Sequence, residues 1–181
     1  AKGSLRLMLV EDRPGSVRFV HPMDFVRWRL GLAQAQELAE ENLIRKSQEI
    51  QPVPLESPGI FEIFGNDGHD NARALILHHW FADAALENGG WGCFVSLPTR
   101  DSLWVAPVRD RSVVSAAVEL WATAQEVYAT EANPISPELF WWDGTSLTPV
   151  CVRQTDPASS RIELPIGLQA CPFLSEEISV S

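Results

Sequence analysis

The sequence predicts an α+β fold, a mainly antiparallel sheet of about five to seven strands flanked by three principal helices. Three observations carry that prediction. Apolar residues recur at helical spacing in three long stretches, 32–47, 71–87 and 112–130. Alternating apolar runs lie between and after them, joined by short turn-forming segments, as in hairpins. Seven Trp and eight Phe among 181 residues supply the bulk for one sizeable core.

Residues 5–10 and 16–20 alternate on either side of the turn-rich 11–15, a hairpin signal. Residues 22–30 read as a short helix or irregular piece with Phe25, Val26 and Trp28 turned inward. Leu32, Ala35, Leu38, Ala39, Asn42 and Leu43 then mark one face of an amphipathic helix, with Asn42 expected to clamp a neighbouring backbone. Prolines 52, 54 and 58 prevent that helix from continuing. Residues 60–64 resume as a strand, and 65–69 form a polar loop.

The chain is organised around residues 70–107. Apolar residues cover nearly the whole circumference of the 71–87 helix, with Asp70 as N-cap and Asn88, Gly89 and Gly90 reversing the chain. Residues 91–97 alternate as a central strand, 98–102 turn, and 103–106 return beside it until Pro107, which cannot donate to a ladder. Leu75 and Phe81 are expected to lie across these two strands.

Val114, Ala117, Val118, Trp121, Ala124, Gln125 and Tyr128 give the last helical stripe, capped by Asp110 or Ser112 and stopped at Asn133 and Pro134. Residues 139–142 and 147–152 flank Asp143 and Gly144, a favoured hairpin turn, and 161–164 add an edge strand. Adjacent Trp141 and Trp142 face opposite sides of their strand, so one points away from the core face unless both faces are covered; a covering helix outweighs an exposed aromatic patch with Trp91 for a partner or ligand. Residues 1–181 thus read as one domain, with 1–31 a hairpin and connector, 32–164 the core, and 165–181 a weakly ordered tail, poorly ordered over 176–181. The start at Ala1 fits either a trimmed chain or a missing upstream segment.

A formal charge of −10 argues against nucleic acid and against an anionic membrane surface, because both demand clustered Lys and Arg. It suits solubility and a basic protein partner. Cys93, Cys151 and Cys171 are odd in number and form no CxxC or metal-ligand spacing, so reduced thiols in a cytoplasmic protein are the expectation. No apolar run approaches the about 20 residues of a membrane span, and no cofactor motif appears.

His69, Asp70, His78, His79, Asp83 and Glu87 are the densest collection of ligand-type residues. His79, Asp83 and Glu87 share a face of a continuous helix at i, i+4 and i+8, but no HExxH motif accompanies them, and solvated acids with a packed histidine outweigh a metal site. Thr99, Arg100, Asp101 and Ser102 occupy one turn. In a catalytic reading Asp101 is a base and Arg100 an anion clamp; in the structural reading, which weighs more, they satisfy the turn's own backbone. There is no GxSxG elbow and no phosphate loop. Cys93 lies mid-strand, where a thiol is an inert small hydrophobe.

Residues 90–107, then a helix, then 136–144, with Ala39, Glu40, Glu41, Asn42 and Leu43 upstream, resemble the YtpQ-like family of uncharacterised bacterial proteins. The likeness spans roughly 32–150. Its motifs are the P-x-R-D turn, here Pro98, Arg100 and Asp101, and a closing S-P-x-L-F…DG segment from Ser136 to Gly144; the Trp-rich hairpin departs from it. The resemblance implies an α+β fold and an intracellular location, and it brings no catalytic residue. Two functional readings follow from the residues. The first is a non-enzymatic cytoplasmic interaction protein using an acidic surface to bind a basic partner, with an immunity-type role as one concrete version. The second is a metal-dependent or Arg/Asp-assisted hydrolase gathering His69, Asp70, His78, Arg100 and Asp101 at one end of the sheet.

Overall fold

The computed structural model describes residues 5–13, 16–156, 159–174 and 177–180. The chain divides into two compact units, residues 1–49 and 50–181. The helix over 32–46 therefore belongs with the N-terminal elements and not with the core.

In the first unit, strands β1 (Val10–Arg13) and β2 (Ser16–Phe19) pair antiparallel, with Val10 opposite Phe19. The strand starts later than the apolar run over 5–10 suggests and takes in Glu11 and Arg13, whose side chains pair with each other, while Arg18 bonds both Glu11 and Asp24. Helix α1 (Pro22–Trp28) has Pro at its first turn and is capped by His21, whose Nδ1 accepts from Met23 N while its own N–H donates to the Asp24 carboxylate. Helix α2 (Leu32–Lys46) follows. Neither helix has a buried residue, so Val26 and Trp28 are not turned inward, and Asn42 is exposed and clamps nothing.

The second unit holds an eight-stranded sheet in the order β10-β9-β8-β7-β5-β6-β4-β3, each neighbouring pair antiparallel. Its strands are β3 (Val53–Pro54), β4 (Phe61–Glu62), β5 (Cys93–Ser96), β6 (Trp104–Pro107), β7 (Leu139–Trp142), β8 (Leu147–Asp156), β9 (Ser159–Glu163) and β10 (Glu177–Val180). The two expected strands do pair as neighbours, over Cys93–Ser96 and Trp104–Pro107, and the second takes in Pro107, opposite Cys93, instead of ending before it. Between β6 and β7 runs α4 (Val113–Thr130), an 18-residue helix that carries the chain across β5, so β6 and β7 lie parallel on either side of it.

Both faces of the sheet are covered, as the alternation in β5 and β7 requires. Phe94, Ala106, Leu139 and Trp141 pack beneath α4 with Ala117 and Leu120. Cys93, Val95, Val105, Phe140 and Trp142 pack on the opposite face against residues 74–85. The tail departs from expectation. Short helix α5 (Ile166–Gln169) brings Leu168 into the first cluster with Leu164, Cys171 and Leu174, and β10 pairs with β9, which is no longer an edge. Apolar residues at 164, 168, 171 and 174 recur at helical spacing and find the sheet. The expectations for Glu176 and Ser181 lie outside the described residues.

Residues 71–88 are not one helix. They form 3₁₀ turns at Asn71–Ile76, Ala82–Ala84 and Leu86–Asn88 around the four-residue helix α3 (His78–Phe81). A straight helix turns one stripe toward a sheet, whereas this segment is apolar nearly all round. Breaking it buries Ala74, Leu77, Phe81, Ala84 and Ala85 together and leaves Leu75 outside. Tertiary bonds take over the freed backbone: Gly92 N donates to Ala84 O at 2.6 Å, and Leu86 N to Asp143 O at 2.9 Å.

Candidate functional site

Three segments meet at one end of the sheet. Asn71 N donates to Arg100 O at 3.2 Å, Arg100 N to Asn133 O at 3.1 Å, Ile135 N to Pro98 O at 2.8 Å and Ser136 N to Leu97 O at 3.1 Å. Thr99 and Pro134 form an isolated bridge. The turn from Pro98 to Asp101 and the start of the Ser136 to Gly144 segment are therefore bonded to one another.

At the centre of this end is a charge cluster in which Arg73 and Asp67 join Asp70. Arg73 is fully buried, and its guanidinium donates to both oxygens of Asp67, at 2.9 and 2.8 Å, and to Asp70 Oδ1 at 2.7 Å. That bidentate fork is the geometry guanidinium offers a carboxylate. Asp70 is also fully buried. Its Oδ1 accepts a second bond from Gly65 N at 2.7 Å, while Oδ2 is buried with no hydrogen-bond partner. Asp70 thus starts the 3₁₀ turn by position, but its carboxylate bonds back to the loop instead of capping the turn. A Cβ at Gly65 would lie 2.6 to 2.8 Å from the guanidinium atoms, so the close approach of Arg73 to the loop needs glycine there.

The two carboxylates respond in opposite directions. The bonds from Arg73 bring the Asp67 carboxyl down to about 2. Burial pushes the Asp70 carboxyl up, aided by the charges of Asp67 and Asp101 and opposed by the Gly65 bond and Arg73.

Of the residues singled out from sequence, His69, Asp70, Arg100 and Asp101 belong to this end of the sheet. Arg100 and Asp101 are half-exposed and bond each other at 3.0 and 3.2 Å, and Thr99 and Ser102 share a hydroxyl bond at 2.8 Å. The Arg100 guanidinium lies beside Gly68. His78 is exposed on α3 and takes part in none of these bonds. His79, Asp83 and Glu87 do not share a helical face, because Phe81 and Ala85 leave helical geometry between them. His79 packs edge-on to Trp80, Asp83 faces Arg109 at 3.5 Å, and Glu87 is exposed. Among the described residues no three His, Cys, Asp or Glu side chains are grouped to hold a metal.

Arg73 and Asp67 were legible in principle, as an acid at 67, an acid at 70 and a base at 73, each three apart. With Asp70 and Arg73 closed to solvent, the cluster fixes the 65–70 loop to the sheet end. A cavity of about 120 Å³ lined by Pro58, Phe61, Pro107 and Arg109 lies elsewhere, at the start of α4, and shares no residue with it.

The charge is divided unevenly. Residues 50–181 contain 17 acidic and 6 basic residues, a balance of −11, and residues 1–49 contain 7 and 8, a balance of +1. Helix α4 has no Lys or Arg, and Glu119, Glu126 and, just past its end, Glu131 are exposed along it. No protein-family model, curated protein or solved structure matches this chain. No helix among the described residues is long and apolar enough to cross a membrane.

Proposed function

We propose that this chain is a non-enzymatic interaction protein whose acidic residues 50–181 engage a basic protein partner. The observation that carries the reading is the −11 balance of that unit, with Glu119 and Glu126 exposed along a helix that contains no cation and Glu131 exposed just past its end. A surface of one sign raises the encounter rate with an opposite partner and rejects like-charged ones. Covering the cationic face of a toxin, as an immunity protein does, is one concrete form of this role. The three cysteines are unpaired, which fits a reducing compartment such as the cytoplasm.

Affinity capture from native lysate tests the reading. The chain is expected to retain basic proteins at low salt and release them at high salt, and Glu119→Lys with Glu126→Lys is expected to abolish capture. Recovery of nothing at low salt, or equal capture by the variant, overturns it.

A further inference from the structure

The first 31 residues carry the complement of that acidic face. They contain six basic and three acidic residues, a balance of +3. Among the described residues Arg6, Arg27 and Arg29 have no acidic partner, in contrast to Arg13 and Arg18. The same segment exposes large apolar side chains: Phe19 at 63%, Met23 at 65% and Val26 at 68%, with Trp28 stacked edge-on to Phe25 at 6.5 Å. A concentration of exposed apolar surface of this kind marks a contact surface.

We propose that the α1 surface of one copy docks on the outer face of α4 in a second copy, each copy giving and receiving the same contact. This rests on the reading of the acidic face as a binding surface and names its occupant. Charge decides between occupants. An anionic lipid surface attracts Arg27 and Arg29 but repels the −11 that the same chain carries in residues 50–181. A second copy instead presents that charge to the arginines, because Glu119 and Glu126, seven residues apart, share the face of α4 turned away from its buried residues. A reciprocal exchange closes as a two-fold dimer.

Sedimentation equilibrium of the full chain reads the outcome. The expected mass is twice 20.1 kDa at low salt, falling toward 20.1 kDa at high salt. Arg27→Glu with Arg29→Glu, and separately Glu119→Arg with Glu126→Arg, are each expected to weaken the dimer about tenfold or more. An equimolar mixture of the two variants restores both contacts and is expected to regain the dimer. Circular dichroism matching the parent chain shows that the variants fold. A single-chain mass at every concentration overturns the proposal, as does a dimer indifferent to salt and to both substitutions, or a monomer that binds phosphatidylserine vesicles. Salt-sensitive binding of a nona-arginine peptide by a monomeric chain overturns self-docking and leaves the acidic-face reading standing. A monomer that ignores the peptide overturns both.

Discussion

Asp70 and Arg73, three residues apart and both fully buried, hold their charged atoms 2.7 Å from each other beneath the loop that Asp67 closes. Two buried opposite charges gain little over an apolar pair, but removing one strands the other. Arg73→Met is therefore expected to cost about 3–5 kcal/mol of stability, because Asp70 keeps a buried carboxylate with no cation. Asp70→Asn combined with Arg73→Met is expected to lose less than Arg73→Met alone. Urea midpoints for the single and double variants check this, and an additive double variant contradicts it.

Acid sensitivity follows from Asp67. Its folded-state carboxyl sits at about 2, below the ordinary value of 3.8, held there first by the bonds from Arg73. A depressed carboxyl contributes stability that is present above pH 4 or so and is lost as the pH falls through about 2. Asp70 opposes this, since its carboxyl is raised by burial and its protonation relieves a cost. Asp67→Asn isolates the first effect. The stability gap between parent and variant is expected to be full at pH 7 and to close progressively between pH 4 and 2, measured by urea unfolding at each pH.

The sheet was readable because its pattern is strong: Cys93 to Ser96 and Leu139 to Trp142 alternate, and each face meets cover of its own. Periodicity predicts one helix over 71–87 because it reports apolar circumference and not the hydrogen bonds that Ala84 O and Leu86 N make to Gly92 and Asp143. The tail orders because Leu168, Cys171 and Leu174, spaced as on a helix, are buried only where a sheet face receives them. Among candidate site residues, His69, Asp70, Arg100 and Asp101 come together through pairing between distant turns. Arg73 escaped notice because a basic residue inside an apolar run looks like a surface charge until its two acids are seen to close around it.

Gly92 joins the broken helical segment to β5. Its φ is +80°, and a Cβ there would stand 2.1 Å from Trp142 O and 2.5 Å from Trp141 Nε1. Gly89 has the same φ with nothing within 4 Å. Gly89→Ala is expected to cost about 1 kcal/mol from backbone strain alone, and Gly92→Ala about 2–4 kcal/mol from strain plus overlap. Thermal unfolding of both variants separates conformation from crowding, and equal losses refute the contact.

Leu75 and Leu77 test how the segment over β5 and β6 is oriented. Leu77 has no exposed surface and packs with Phe81, Val95 and Val105, whereas Leu75 is 45% exposed. In a continuous helix the two would stand about 200° apart, so either one alone is consistent with many rotations of the helix. Here Trp80 Nε1 donates to Ile50 O at 2.9 Å and Phe81 lies 6.0 Å from Phe61, which ties the segment's rotation to both neighbours. Leu77→Ala is then expected to cost about 2–5 kcal/mol through the cavity it leaves, and Leu75→Ala about 0.5 kcal/mol or less. Denaturant midpoints in the reverse order would mean that the opposite side of this segment covers the sheet.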